Sequence, residues 1–206
     1  MKELKGQIIF EPEYNNPEAV RGLERFSHIW LLWKFSESKK EHWSATVKPP
    51  RLGGKKRVGV FASRSPFRPN DIGLSSVRLE RIELDERLGP VLHVSGIDLM
   101  DKTPIYDIKP YVPVSDCHPE ASEGYTKETK QHRLKVEFPE ELLWNYPEDR
   151  RKALIGVLAE DPRPAYVQDE ERIYGITFAG SDVRFRVVGD VLRVCAVEKP
   201  AEKGQK

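Results

Sequence analysis

The sequence predicts a mainly β protein in two units, a small N-terminal β-barrel or curled sheet and a small C-terminal α+β domain. Six short β-rich runs, each bounded by turn residues, precede residue 115. The polar segment Ser115–Gln131 has no apolar period and is typical of a linker or long loop. A length of 206 residues fits two small domains. We expect them at residues 1–120 and 132–206, joined by a linker at residues 121–131.

The N-terminal unit is predicted to contain six strands and one short helix. The strands are expected at residues 7–10, 29–35, 58–62, 75–84, 91–99 and 105–108. The helix is expected at Pro17–Leu23, with Asn16 as its N-cap and Pro17 at the first helical position. Several short strands at this spacing favour a small barrel or a curled sheet.

The C-terminal unit combines one helix with alternating strands. A strand is predicted at Arg133–Phe138, and a helix at Pro147–Ala159 carries apolar residues at helical spacing. Three alternating runs follow at residues 174–178, 183–188 and 192–197, separated by glycine-containing turns. The pattern predicts a small α+β domain.

Composition excludes several classes of protein. The chain has 34 Lys and Arg against 33 Asp and Glu, a net charge of +1, which is ordinary for a globular protein. The longest apolar run, Ile29–Trp33, is too short to span a membrane, and the start lacks a secretory signal, so we expect a soluble, cytoplasmic protein. Cys117 and Cys195 lack metal-ligand spacing, which predicts two free thiols and no metal.

One segment, His42–Asn70, contains no acidic residue and is called the basic segment below. Its seven cations are interleaved with Trp43, Phe61 and Phe67. Such a pattern can follow a phosphate backbone and stack unpaired bases, as in proteins that bind single-stranded RNA loops. A solvated loop rich in Lys and Arg is the alternative.

Two clusters rich in proline and charge favour a rigid ligand site. Arg64–Gly73 contains two prolines and two arginines directly after a predicted strand. Asp98–Pro104 and Asp107–Tyr111 place carboxylates, lysines and a tyrosine at strand ends. Because proline fixes φ, these loops would hold charged groups in place for an anion or an adenosine-type ligand. Alternatively, Asp101 and Thr103 are turn residues, Asp107 only pairs with Lys109, and Tyr111 lies in the core.

The same segments carry a family resemblance. The motifs are Ala19–Glu24, Phe26–Trp30, Pro49–Gly54, Gly59–Pro66, Arg68–Asn70, Gly73–Ser75, Asp98–Thr103, Asp107–Tyr111 and Asp161–Tyr166. In this order they resemble the TrmO family, also called YaeB or TsaA-like, of S-adenosylmethionine-dependent tRNA methyltransferases. The glycine fingerprint of Rossmann methyltransferases is absent.

The resemblance implies a single-sheeted β-barrel, a small C-terminal α+β domain and a homodimer. It implies N6-methylation of threonylcarbamoyladenosine, the modified adenosine 3′ of the anticodon in threonine tRNA, with S-adenosyl-L-methionine as cofactor. The cofactor would be bound by Ser36, Glu37, Arg64, Leu74, Asp98, Leu99, Met100, Asp101 and Thr103.

Catalysis and RNA binding are assigned to two further sets of residues. Asp98, Asp101 or Asp107 is expected to stabilise the sulfonium or accept the N6 proton, and Asn70 and Tyr111 to orient the base. The RNA contacts are expected at Lys48, Arg51, Lys55, Lys56, Arg57, Arg68, Arg163 and Tyr166. Arg163 and Tyr166 belong to a motif that could instead be a rigid turn after the helix.

Three differences from the family pattern leave a second hypothesis open. Asp71 and Lys102 stand where the family usually has Pro and Gly, and no Pro-Arg-Gln motif precedes Gly6. The alternative is a shortened, non-catalytic RNA-binding relative with impaired cofactor binding.

Overall fold

A computed structural model describes residues 4–38, 42–49, 52, 56–129, 133–163 and 169–198. The chain forms two compact units, one mainly from Met1–Pro49 and Arg57–Ser122 and the other mainly from Glu123–Lys206. Most regular elements are β-strands and the helices are short, so the prediction of a mainly β protein is confirmed.

The first unit is built on a five-stranded antiparallel sheet. Its strands are β1 Lys5–Ile9, β2 His28–Lys34, β5 Ile72–Asp85, β6 Gly89–Ser95 and β7 Ile105–Pro110. Their order in the sheet is β1-β6-β5-β2-β7. A separate two-stranded pair joins β3 Thr46–Val47 to β4 Val58–Gly59 within the basic segment. Strand β2 therefore pairs with β5 on one side and β7 on the other.

The barrel is not confirmed. Strands β1 and β7 lie at the two edges of the sheet, and in the described part of the chain they do not pair with each other. The described sheet is therefore open.

One face of this sheet forms the core of the first unit. Ile29 and Leu31 on β2 are fully buried, and their alternation with less buried neighbours is the period-two pattern of a strand with one core face. The buried cluster contains Ile8, Val20, Ile29, Leu31, Val77, Leu79, Leu92 and Val94.

Three local predictions were wrong at glycine positions. The helix expected at 17–23 is two 3-10 helices, Pro17–Val20 and Leu23–Arg25, because Gly22 at φ +87° interrupts it. Its start is confirmed, since the Asn16 side chain accepts a hydrogen bond from Glu18 N at 3.0 Å. The strand expected at 58–62 ends at Gly59 and continues as a 3-10 helix, and β6 ends at Ser95, before Gly96 at φ +78°.

The second unit packs helices against one face of a four-stranded sheet. Its strands are β8 Lys135–Glu137, β9 Tyr174–Phe178, β10 Ser181–Val188 and β11 Val191–Glu198, in the order β8-β11-β10-β9. Among the described residues the α-helices are α1 Pro113–Asp116 in the first unit, and α2 Thr126–Thr129, α3 Glu140–Leu143 and α4 Glu148–Ala159 in the second. Leu154 and Leu158 of α4 are buried with Phe185 of β10 and Leu192 of β11. The helix and the alternating strands predicted for this unit are confirmed.

The segment expected to be loop at Ser115–Gln131 contains the end of α1 and all of α2. Helix α1 was missed because Pro113 and Asp116 also suit a turn. Cys117 and Cys195 are free and exposed. Among the described residues, no helix has the length and apolarity needed to cross a membrane.

Tyr146 provides a test of the packing of the second unit. The residue is 4% exposed, and its hydroxyl has no hydrogen-bond partner within the described residues. A buried hydroxyl without a partner is destabilising, so we expect Tyr146→Phe to raise the free energy of unfolding by about 1 kcal/mol. Differential scanning calorimetry measures the change as a higher Tm.

The matched control is Tyr174→Phe in the same core. The Tyr174 hydroxyl donates to the Asp169 carbonyl at 3.4 Å, so its removal should give no gain. A lower Tm for Tyr146→Phe than for the wild type would contradict the prediction.

Candidate functional site

Three chain segments meet at the C-terminal end of β2. Phe35 N donates to the Asp71 carbonyl at 2.8 Å, which places the loop before β5 beside the end of β2. On the other side, Lys34 N donates to the Pro104 carbonyl at 3.0 Å, which places the loop before β7 there too. Of the predicted site residues, Ser36, Glu37, Asn70 and Thr103 lie within these segments. We call this region the strand-end site.

The indole of Trp33 lies directly against Gly73 on the neighbouring strand. The two residues are opposite each other in the β2–β5 register. A Cβ at residue 73 would overlap three carbons of the indole, the farthest at 2.7 Å. The indole also contacts the ring of Phe35, with ring centroids 4.3 Å apart. Glycine at residue 73 is therefore what allows the indole to lie on β5.

This position of the indole starts a hydrogen-bond chain that ends at Asp98. Trp33 Nε1 donates to Ser75 Oγ at 3.1 Å, and Ser75 Oγ donates to Asp98 Oδ1 at 3.1 Å. Asp98 itself is exposed, and its Oδ2 has no partner within the described residues. These two hydrogen bonds fix Oδ1 of the Asp98 carboxylate and leave Oδ2 available to a ligand.

The remaining residues of the loop after β6 form a tight turn. Thr103 N and Thr103 Oγ1 both donate to the Met100 carbonyl, at 3.2 and 2.8 Å. Lys102 within the turn has φ +61°, in the left-handed region that favours glycine. Asp101 and Met100 project from the turn, with Met100 68% exposed, whereas Leu99 packs against the core.

The proline-rich loop after β4 is held by hydrogen bonds within the loop. Ser63 Oγ donates to the Val60 carbonyl at 2.9 Å, and Phe67 N donates to Ser65 Oγ at 3.2 Å. Arg68 Nη1 donates to the Ser63 carbonyl at 2.9 Å, so this guanidinium stabilises its own loop. Arg64 is exposed on the same loop and has no side-chain partner in the described part of the chain. Of the two arginines, Arg64 is the one available to an anion.

Leu74 and Asp107 lie on the opposite face of the sheet from Ser75. In the register, Leu32 pairs with Leu74 and with Asp107, whereas the adjacent Leu31 faces the core. Asp107 forms an ion pair with Lys109 at 2.9 Å, and this neighbour holds the pKa of the Asp107 carboxyl below its usual range. The structure therefore does not bring Asp107 together with Asp98.

Tyr111 lies at the other end of β2. Tyr111 N donates to the His28 carbonyl at 3.0 Å, five residues before Trp33, which corresponds to about 17 Å along a strand. Its ring packs against Trp30, with centroids 5.5 Å apart. Desolvation and nearby Cys117 raise the pKa of the Tyr111 phenol above its usual range. The structure does not place Tyr111 at the strand-end site.

Asp116 organises the region around Tyr111. Asp116 Oδ2 accepts hydrogen bonds from Val112 N at 2.7 Å and from Trp30 Nε1 at 3.0 Å. These donors, the backbone N–H first, lower the pKa of the Asp116 carboxyl.

Some of the residues predicted to contact RNA are exposed, whereas others form bonds within the protein. Lys48 and Lys56 are exposed, whereas Arg57 bonds Thr46 across the β3–β4 pair through Nε at 2.7 Å. Arg163 forms a bidentate ion pair with Asp161, with both N–O distances at 2.8 Å, and both side chains are under 15% exposed. Asp161 raises the pKa of Arg163. Arg51, Lys55 and Tyr166 lie outside the described residues.

Sequence reasoning missed three residues of the strand-end site: Trp33, Gly73 and Ser75. Trp33 was assigned only to an apolar strand, and Gly73 and Ser75 only to a family motif without a role of their own. One signal was available in the sequence. Gly73 and Ser75 occupy two successive core-facing positions of a strand, where apolar side chains are expected. In the ranges that the structure describes, no group of three or more His, Cys, Asp or Glu is arranged to hold a metal ion.

Replacing Gly73 tests the contact with the indole. Gly73→Ala places a methyl group inside the van der Waals radius of the Trp33 ring, so the indole must move and its bond to Ser75 is lost. We expect the free energy of unfolding to fall by about 2 kcal/mol, the cost of overpacking. Urea denaturation measures it.

Gly59→Ala is the matched control, because a Cβ at residue 59 meets no atom within 4 Å and φ is −57°. Equal stability of the two alanine variants would show that the indole does not require glycine at residue 73.

The pH dependence of stability tests the role of Asp116. A carboxyl whose folded pKa is lowered stabilises the fold above its unfolded pKa, and this contribution is lost as the pH falls through the folded pKa. Asp116→Asn should therefore lower the Tm at neutral pH, and the difference from the wild type should shrink below about pH 4. Thermal unfolding across this pH range measures it. A Tm difference that is constant with pH would contradict the role of the charge.

Comparison with known proteins identifies the family. The model of the tRNA-methyltransferase O N-terminal domain matches residues 1–117, and that of the TrmO C-terminal domain matches residues 131–200. A relative from Escherichia coli strain K12, named tRNA (adenine(37)-N6)-methyltransferase, is 40% identical over 96% of this chain and 87% of its own length. A relative from Pseudomonas aeruginosa is 39% identical over 94% of this chain and 85% of its own length, and its name includes the words S-adenosylmethionine-dependent methyltransferase.

A solved structure agrees with these relatives. The crystal structure of TrmO from Pseudomonas aeruginosa superimposes with a TM-score of 0.74 at 33% identity, covering 97% of this chain and 85% of that one. The family resemblance predicted from the motifs is confirmed: the chain belongs to the tRNA-methyltransferase O family.

Proposed function

We propose that this chain is an S-adenosylmethionine-dependent tRNA (adenine(37)-N6)-methyltransferase. The observation that carries the proposal is the match of both units to the same family, together with 40% identity to a relative of that name over 96% of the chain. The alternative of a non-catalytic RNA-binding relative is not favoured, since the matched relatives are named as methyltransferases.

The residues of the strand-end site fit the chemical groups of the proposed cofactor. The exposed carboxylates of Asp98 and Asp101 can accept hydrogen bonds from ribose hydroxyls or lie beside a positively charged sulfur. Exposed Met100 offers a flexible apolar surface to an adenine ring, and exposed Arg64 can pair with an amino-acid carboxylate. Ser36, Glu37, Leu99 and Thr103 complete the proposed set, together with Leu74 on the other face of the sheet. When bound, S-adenosylmethionine supplies an electrophilic methyl group on sulfur.

The substrate that we propose is the N6 nitrogen of threonylcarbamoyladenosine, 3′-adjacent to the anticodon of threonine tRNA. This nitrogen is urea-like and its lone pair is delocalised, so it needs alignment and loss of its proton to attack a methyl group. In the balanced reaction, an N–C bond forms, the S–C bond breaks with its electron pair going to sulfur, and the N6 proton leaves. The chain must therefore position the base and provide a proton acceptor.

Asp98 is the carboxylate best placed to accept that proton. Its Oδ1 is fixed by Ser75, whereas Oδ2 is available, so the group is oriented without being neutralised by a cation. Asp101 is the second candidate, on the exposed turn beside it. Asp107 already pairs with Lys109 on the other face of the sheet, which makes it the weakest of the three candidates. Asn70, in the segment before Asp71, is proposed to orient the base.

The basic segment is proposed to bind the tRNA backbone. Lys48, Lys56 and Arg64 are exposed there, and Phe61 offers an aromatic face that is 73% exposed. The homodimer implied by the resemblance stays a proposal, supported by the exposed Ile72 and Leu74 on the outer face of β5 and testable by sedimentation velocity.

The first experiment titrates the purified chain with S-adenosylmethionine by calorimetry and then assays methyl transfer to threonine tRNA with and without the threonylcarbamoyl group. We expect micromolar binding, about −8 kcal/mol, and transfer only to the modified tRNA. Methyl transfer to tRNA that lacks the threonylcarbamoyl group would contradict the proposed substrate. The absence of both binding and transfer in a folded chain would contradict the proposed function.

A pair of variants tests the assignment of the proton acceptor. Asp98→Asn keeps the shape of the side chain and removes its basicity, so kcat should fall by about 10²-fold or more, the usual contribution of a general base. Asp107→Asn is the matched control and should retain kcat. If Asp98→Asn keeps a kcat within about twofold of the wild type, Asp98 is not the base.

A further inference from the structure

The outer face of the second sheet carries a hollow that no part of the proposed methyl-transfer site uses. It has a volume of about 180 Å³ and is lined by Arg186, Val188, Val191, Arg193 and Cys195. We call it the arginine hollow. Its residues alternate along β10 and β11 with the buried Val187, Leu192 and Val194, so they project away from the core of the unit.

Two arginines face each other across this hollow. Arg186 on β10 lies directly opposite Arg193 on β11 in the register. Like charges directly opposite each other on neighbouring strands destabilise a sheet unless an anion lies between or beside them. Arg193 has such a partner, because its Nε lies 2.8 Å from Glu137 Oε2 on β8. Arg186 is exposed and has no carboxylate partner within the described residues.

Two of the other charged side chains on this face have polar partners. Arg184 lies 3.6 Å from Glu198, and Asp182 accepts a hydrogen bond from Thr177 Oγ1 at 2.8 Å. Lys135, which is opposite Val191 in the register, is exposed and without a carboxylate partner within the described residues. The unneutralised positive charge therefore lies at Arg186 and Lys135, on either side of the strand that carries Arg193.

From this arrangement we propose that the arginine hollow binds a backbone phosphate of tRNA. A guanidinium binds phosphate through two parallel hydrogen bonds, and Val188, 54% exposed, and Val191 leave a shallow apolar floor beside it. A free phosphate would be held weakly here, because exposed ion pairs contribute little in water. A polynucleotide gains from each such contact by releasing counterions, so the open hollow suits an RNA backbone. The inference rests on the proposed tRNA substrate and adds a contact outside the strand-end site.

The salt dependence of tRNA binding tests the proposal in the full chain. Arg186→Ala should weaken binding of threonine tRNA about three- to tenfold and reduce the slope of log K against log salt concentration by about one. The matched control is Arg150→Ala, which removes an exposed arginine on α4 that has no carboxylate partner among the described residues. An unchanged slope for Arg186→Ala, or an equal reduction in both variants, would overturn the proposal.

A variant that should bind tRNA more tightly separates the loss of a phosphate contact from a loss of binding through misfolding. Glu137→Gln removes the carboxylate that neutralises Arg193, so tRNA should bind more tightly and with a steeper slope. Weaker or unchanged binding would contradict a phosphate site. Inorganic phosphate at constant ionic strength should not displace the tRNA. Displacement at low concentration would assign the hollow to a small anion and overturn the RNA proposal.

The exposed thiol in the hollow gives a readout that does not depend on catalysis. We expect bound tRNA to slow alkylation of Cys195 in the wild type but not in Arg186→Ala, with Cys117 in the same molecule as the reference. Equal alkylation of Cys195 with and without tRNA would overturn the proposal. If methyl transfer occurs but tRNA does not protect Cys195, the phosphate site is refuted and the proposed activity stands. If tRNA protects Cys195 but no methyl transfer occurs, the proposed activity is refuted and the phosphate site stands. The absence of tRNA binding would refute both.

Discussion

The strand-end site depends on the contact between the Trp33 indole and the bare backbone of Gly73. An indole can lie this close to a neighbouring strand only where no Cβ projects from it. In this position its N–H reaches Ser75, and the serine hydroxyl in turn reaches Asp98. The orientation of an exposed carboxylate is thus set by packing between two strands.

The loops around this contact are held by hydrogen bonds to the end of β2 and by hydrogen bonds within the loops themselves. Pro104 and Asp71 accept from the backbone of Lys34 and Phe35, and the serines of the basic segment bond their own backbone. A site ordered before binding loses little entropy when a ligand arrives. Lys102 at φ +61° shows that this order has a cost, because a non-glycine residue in that region is strained.

The sequence was sufficient to predict most of the strands and α4, because alternation and helical spacing are local signals. It could not predict where those strands pair. Asp98, Asp107 and Tyr111 all follow or lie in neighbouring strands along the chain, yet the β2–β7 register puts Asp107 on the other face and Tyr111 at the other end of β2. Trp33, Gly73 and Ser75 were missed for the same reason, since their relation exists only in the register between β2 and β5.

The arginines show why a count of charges does not locate a binding surface. Arg57, Arg68 and Arg163 are each engaged by the chain itself, through a threonine, loop carbonyls and an aspartate. Arg64 and Arg186 carry the same charge without such partners in the described residues. A guanidinium already bonded within the fold must break those bonds to reach a phosphate, whereas an unpaired one exchanges only water and counterions. In the proposed function, the cations that can bind RNA are those that folding leaves without a partner, and among the described residues the ones proposed for this role lie in the basic segment and on the outer face of the second sheet.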